Sequence, residues 1–184
     1  TVYLASDSHR VRGDAKANLA LLGALDVPVI EIPDQESFKQ NAVEMRHREI
    51  WVDALLGTGL KSDVKGYFRD LISFVATQNR PVFAVDIPSG LDSDTGRPRG
   101  TAVRANGTVT FAHPKIGHMV YPGVDFCGRL DVVDIGIPPH IIREIAPNHF
   151  LLTPTRIRSG LRDRDRSAHK GTCGHLLAVA GSTG

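Results

Sequence analysis

Apolar residues fall in short blocks separated by polar, Gly- or Pro-bearing stretches, and the blocks alternate between two spacings. "TVYLA" is a strand-like run at the start. "GDAKANLALLGALDV" carries Ala17, Leu19, Leu21, Leu22 and Leu25 at helical spacing and predicts a helix from near Gly13. "PVIEI" reads as a strand after proline, and "DQESFKQNAVEMRH" as a helix capped by Asp34. "EIWVDALL" is a buried strand. "KGYFRDLISFVATQN" puts Phe68, Leu71, Ile72 and Val75 on one helical face. "RPVFAVDIPSG" is a strand running into a turn. Strand and helix alternating, with nearly continuous apolar strands, predict a parallel sheet covered on both faces.

The pattern changes after Gly90. "TVTFA", "MVYPG" and "RLDVVDIG" predict short strands joined by turns with no clear helix between them. The reading is an α/β domain over residues 1–150, a linker over 151–168, and the start of a second fold over 169–184. From Arg156 to Lys170 the chain carries six Lys/Arg against two Asp. Such a strip can meet phosphate or nucleic acid, but no aromatics interleave the charges, which favours a solvated linker. The opening strand and the closing "GHLLAVAGSTG" both read as interrupted in mid-fold, the pattern expected of a piece of a longer protein.

Composition narrows the classes. A chain of 184 residues with 41% apolar content supports one good core. A net charge of +2 makes no general demand for nucleic acid or a membrane surface. No apolar run reaches the ~20 residues of a membrane span, and no signal-peptide pattern opens the chain. Cys127 and Cys173 lie far apart without metal-type spacing, and are read as free thiols in a reducing compartment, hence a cytoplasmic protein.

Ligands of open parallel sheets sit beyond the carboxyl ends of the strands. Two predicted strands end in reactive chemistry there. One ends at Asp53, ahead of Gly57, Thr58, Gly59 and Leu60; the other ends at Asp86, ahead of Pro88, Ser89 and Gly90. Lean loops after strands let main-chain N–H groups approach an anion closely. By spacing alone, however, a strand-end Asp is equally a cap or a turn former. "GTGL" lacks the third glycine of the dinucleotide fingerprint, and no Walker lysine follows.

Several segments in series add to this reading. "VDALLGTGL", "VFAVDIPSGLDSDTG", "AVRANGTVTFAHPKIG" and "VVDIGIP" resemble the NAD(P)H-hydrate epimerase family in order and spacing, over roughly residues 1–139. "HKGTCGHLLAVAGSTG" resembles the start of the ADP-dependent NAD(P)H-hydrate dehydratase domain that follows the epimerase in bifunctional bacterial proteins. The resemblance implies a Rossmann-like three-layer sandwich with a mostly parallel sheet, followed by a stub of a ribokinase-like domain. It also implies epimerisation of the R and S forms of hydrated NAD(P)H, coupled in the longer protein to ADP-dependent dehydration. Potassium would be held by Asp53 and Ser89, and the substrate would be contacted by Gly57, Thr58, Gly59, Leu60, Lys61, Ser62, Asp63 and Asp86. Asp86 is expected to be the acid/base group. The family's Asn/Gly-rich loop, with further substrate and potassium contacts, would lie before Thr1. The family also implies a homodimer or higher homo-oligomer. Nucleic acid and membrane are not expected as partners. The same fold and pocket also suit a nucleotide-binding module without turnover, or a protein-interaction domain.

Other features have plainer readings. "DSDTG" lacks a full calcium-ligand set and reads as a polar turn. His113 and His118 flank "PKIG" without acidic or thiol partners at metal spacing and read as loop histidines. Lys115 reads as a solvated side chain or a phosphate contact at the pocket mouth. Ser89 follows Pro88, so "IPSGL" is not a nucleophile elbow. His169 and Lys170 head the second fold.

Overall fold

The computed structural model describes residues 1–161, 165–169, 171–172, 175 and 177. Contacts divide the chain into two units, Thr1–Ile137 and Pro138–Gly184.

The first unit alternates strand and helix as the periodicity predicts. Strand β1 (Val2–Leu4) leads through helix α1 (Gly13–Ala24) to β2 (Val29–Glu31), which pairs with it in parallel. Helix α2 (Gln35–Met45) starts where Asp34 accepts from the N–H groups of Glu36 and Ser37, while Ser37 Oγ accepts from Asp34 N. This reciprocal cap satisfies amide groups that the first helical turn leaves unpaired. β3 (Trp51–Asp53), α3 (Gly66–Thr77), β4 (Val82–Val85), β5 (Gly107–Phe111) and β6 (Arg129–Val133) follow. The last four strands form one parallel sheet in the order β3-β4-β5-β6, with β1-β2 as a separate pair. The α/β class with parallel sheets is therefore as the sequence predicts.

Three local expectations need correction. "MVYPG" forms no strand. Helices α4 (Ile116–Met119) and α5 (Val124–Cys127) occupy the connection between β5 and β6. Parallel neighbours require a long crossover rather than a tight turn, and residues 112–128 supply it. The leucine-bearing face of α1 is not a core face: the helix buries no residue, and Leu21 is 57% exposed. Nor do the described residues of the first unit cover both sides of the larger sheet. Phe38 and Met45 of α2 and Leu71, Ile72 and Val75 of α3 pack with Ile32, Trp51 and Val82 in one core. On alternate strand positions Val52, Phe83, Val85, Val109 and Phe111 are exposed.

The second unit holds α6 (Pro139–Ile145) and α7 (Pro154–Gly160), so the stretch read as linker contains a helix. Its positions 162–164 and 170 lie outside the described residues. So does most of the segment read as a ribokinase-like start, including Lys170 and Cys173. No helix among the described residues is long and apolar enough to cross a membrane.

Candidate active site

Because β3, β4 and β5 run parallel, their carboxyl ends meet on one edge of the sheet. Asp53 is the last residue of β3 and is 4% exposed. Its carboxylate faces the turn after β4. The Ser89 amide donates to Oδ2 at 2.7 Å and the Ser89 hydroxyl to Oδ1 at 2.5 Å. The Leu55 amide reaches Oδ1 at 3.4 Å. Ser89 Oγ in turn accepts from Leu56 N at 2.9 Å. Burial pushes the Asp53 carboxyl above the usual range, and the Ser89 bonds oppose that rise. No cationic side chain pairs with Asp53 among the described residues.

Asp86 stands directly after β4 at φ 68°. That left-handed conformation is uncommon for a residue with a Cβ, and strain of this kind gathers at functional sites. Its amide donates to Val109 O at 2.8 Å, which ties the strained residue to β5. Oδ1 accepts from Thr110 Oγ1 at 2.9 Å and from Lys115 Nζ, with Phe111 N at 3.5 Å. Lys115 Nζ also donates to Thr110 Oγ1 at 2.8 Å, closing a three-membered ring of contacts. Oδ2 has no partner among the described residues. Partial burial raises the Asp86 pKa, but the hydrogen bonds from Lys115 and Thr110 and the ammonium charge outweigh it. The carboxyl lies below the usual range and is ionised at neutral pH.

His118 supports this arrangement from below. It is 3% exposed on α4, so it is no loop histidine. Its Nδ1 accepts from the Lys115 amide at 3.2 Å, which places the ring proton on Nε2. Nε2 is buried without a hydrogen-bond partner among the described residues. Burial, with the Lys115 charge, holds its pKa below the usual value, so the ring is neutral.

The loop after β3 is anchored at both ends, by Leu56 N on Ser89 Oγ and by Val64 N donating to Arg99 O at 2.9 Å. Between these anchors Gly57, Thr58, Gly59, Lys61, Ser62 and Asp63 are exposed and Leu60 is half-buried. A Cβ added at Gly57 or Gly59 meets nothing within 4 Å, and neither has positive φ. The fold itself does not require glycine there. Gly90 is the opposite case: at φ 91° an added Cβ would fall 2.0 Å from Thr101 O.

"DSDTG" is a polar turn, as its sequence predicts. Asp92 Oδ1 accepts from Thr95 N at 2.8 Å and Asp94 N at 3.0 Å, and Oδ2 accepts from Arg99 Nε at 2.8 Å. Cys127 is buried as a free thiol, and burial pushes it up to about 11.

The structure thus brings Asp53 to Ser89, and the root of the 57–63 loop to the same pair. Asp86 joins a different cluster. Lys115 is not a solvated lysine but the partner of Asp86, and sequence reasoning passed over Thr110 altogether. Their signal was positional: Thr110 sits near the carboxyl end of β5 and Lys115 opens the connection just beyond it.

The sequence model for YjeF-related protein N-termini matches residues 1–117. The bifunctional NAD(P)H-hydrate repair enzyme Nnr of Moorella thermoacetica is 38% identical over 183 residues, covering all of this chain and 34% of its own length. The Nnr of Coxiella burnetii is 36% identical, over 100% of this chain and 36% of its own. The NAD(P)H-hydrate epimerase of Oenococcus oeni is 34% identical over 74% of this chain and 60% of its own. The chain therefore spans about a third of the length of the bifunctional relatives. The crystal structure of yeast ynu0 superposes with a TM-score of 0.57 at 20% identity, covering 79% of this chain and 59% of the yeast one, and shares the fold.

Proposed function

The chain belongs to the family of YjeF-related protein N-termini, and from that premise we propose that it is the epimerase portion of a nicotinamide-nucleotide repair enzyme. The reaction interconverts the R and S forms of hydrated NAD(P)H. In the complete protein we propose that it is coupled to ADP-dependent dehydration; the relatives' names support a bifunctional repair enzyme for hydrated NAD(P)H. The observation that carries the proposal is Asp86: an ionised carboxylate at a strand's carboxyl end, with one oxygen held by Thr110 and Lys115 and the other without a partner among the described residues.

The chemistry suits that group. The hydroxyl of the hydrated ring shares its carbon with the ring nitrogen, so expelling it leaves a cation that the nitrogen stabilises. Water then returns to either face. A carboxylate beside that carbon stabilises the developing charge and takes a proton from the incoming water. The exposed main chain of Gly57, Thr58 and Gly59 offers N–H groups to the diphosphate, with Leu60, Lys61, Ser62 and Asp63 completing the substrate loop.

Asp53 and Ser89 are proposed to hold potassium. Hard cations take oxygen ligands, and a buried carboxylate with no cationic side chain beside it among the described residues fits such an ion. When bound, the ion supplies a fixed positive charge that ties the turn after β4 to the root of the substrate loop. A cytoplasmic location and self-association as a homodimer or higher homo-oligomer complete the proposal.

The test starts from one epimer of hydrated NADPH and the full-length natural protein. Conversion to the epimeric mixture, followed by chromatography, is the expected result. Tight binding of an unchanged epimer would replace the epimerase with a nucleotide-binding module.

A further inference from the structure

We propose that Lys115 is the proton donor of the reaction and that Lys115 and Asp86 work as a self-resetting acid–base pair; this rests on the epimerase reading. Epimerisation by hydroxyl exchange needs one proton given and one taken. When the C–O bond breaks, the departing hydroxyl must receive a proton to leave as water. When water adds to the cation and a new C–O bond forms, it must lose one. Asp86 is ionised, so it can accept but has no proton to give.

The proton must come from a neighbour, and the described groups beside Asp86 are few. They are Lys115 Nζ, Thr110 Oγ1, the Phe111 amide and the buried ring of His118. Phe111 N is main chain. Thr110 Oγ1 is 0% exposed with its residue and already donates to Asp86, so it cannot reach a ligand. His118 is buried, with Nδ1 occupied by the Lys115 amide. Lys115 is different. Its side chain is 22% exposed and that of Asp86 is 25% exposed, so both open to the same surface. An ammonium carries three protons. Asp86, Thr110 Oγ1 and, at 3.4 Å, Phe111 O share them, and the long third contact is the one a ligand hydroxyl displaces.

The direct contact also explains how the pair recovers. After one turnover Lys115 has lost a proton and Asp86 has gained one. Transfer from the Asp86 carboxyl to the neutral amine, across the hydrogen bond they already share, restores the starting state. No proton need come from bulk water. The reverse epimerisation runs the same path from the tautomer in which Asp86 holds the proton. His118 and Thr110 act as positioning residues. His118 fixes the Lys115 main chain through its Nδ1, and Thr110 fills the angle between Nζ and Oδ1.

Lys115→Arg separates proton supply from charge. Arginine keeps a cation beside Asp86 but holds its protons above pH 12. The full-length wild type, K115R and K115M are each given one pure epimer of hydrated NADPH. Initial epimerisation rates, substrate affinity and melting temperature are recorded. The expected result is a loss of ~100-fold or more in rate for both variants, the scale of general acid catalysis. K115R is expected to bind substrate within about threefold of wild type and to melt at the same temperature. K115R turning over within about threefold of wild type would overturn the proton-donor role and leave the epimerase standing. A wild type that binds the epimer without converting it would overturn both. If K115M fails to fold, K115R alone decides.

Discussion

At the residue scale the glycines fall into two classes, one that the fold requires and one that it leaves free for the proposed ligand contact. Gly90 is required by the backbone, since at φ 91° any side chain would collide with the Thr101 carbonyl. Gly90→Ala is therefore expected to destabilise the protein by more than the ~1–2 kcal/mol that a left-handed backbone costs an ordinary residue. Gly59 meets no such limit. Gly59→Ala is expected to leave the melting temperature within about 1 °C; if the loop holds the diphosphate as proposed, it is also expected to raise KM for the hydrated nucleotide several-fold by standing between main chain and diphosphate. Thermal melts and steady-state kinetics on the two variants check both statements. Ser89 joins the two roles. Ser89→Ala removes a donor from the buried Asp53 carboxylate and the acceptor of Leu56 N. Urea denaturation is expected to show a loss of about 1–3 kcal/mol, the cost of stranding buried polar atoms. If Asp53 and Ser89 hold potassium as proposed, wild type is expected to be stabilised by potassium over an equal concentration of lithium, and Ser89→Ala to lose that difference.

At the element scale the segment from Gly90 to Gly100 acts as one folded unit beside the site. Leu91 bridges Pro98, Arg99 N donates to Gly90 O at 2.8 Å, and Gly96 N donates to Asp92 O at 2.9 Å. Asp92 is its hub, and the Arg99 guanidinium beside it, with the Thr95 bonds, holds its carboxyl down to about 2. An unfolded aspartate titrates near 3.9. A carboxyl lowered on folding stabilises the fold above its unfolded pKa, and that contribution fades as pH falls through the folded one. The shift corresponds to about 2.5 kcal/mol at most. Arg99 is 38% exposed, so solvent screening reduces the figure to about 1–2 kcal/mol. Wild type is therefore expected to lose stability between about pH 4 and pH 2, with Asp92→Asn less stable at pH 7 and flatter across that window. Urea titrations at stepped pH measure it. The polar turn itself was legible in "DSDTG", because Asp and Thr side chains satisfy nearby amides locally. The Arg99 partnership was not, since nothing in the spacing says which cation bends back.

At the scale of the whole first unit, the same division between local and distant information governs what the sequence reveals. Helices α2 and α3 were readable because their apolar faces recur at helical spacing and Asp34 caps the first of them. Strands β3 and β4 were readable from their dense apolar runs, and their ends correctly marked Asp53 and Asp86. Four-residue helices such as α4 and α5 leave no periodic trace, so the β5–β6 crossover was misread as turns and a strand. Lys115 and Thr110 escaped notice as a pair because their meeting with Asp86 depends on β4 and β5 lying side by side, a long-range fact. Periodicity also shows which positions are apolar without showing which neighbour covers them. Ile72 and Phe83 illustrate the difference. Ile72 is 0% exposed where α3 packs with Trp51 and Val82, whereas Phe83 on β4 is 44% exposed on the opposite sheet face. Trp51 is the single tryptophan and is 9% exposed in that core, packed edge-on against Phe74 with centroids 6.0 Å apart. Its fluorescence therefore reports on the first unit's core. Ile72→Ala is expected to cost about 2–5 kcal/mol by opening a cavity there, and to move the Trp51 unfolding transition to lower denaturant. Phe83→Ala is expected to shift the same transition by no more than about 1 kcal/mol, because the ring already meets water. Equal losses from the two substitutions would mean that the outward face of the sheet is as covered as the inward one, returning the fold to the two-sided burial its apolar strands predict.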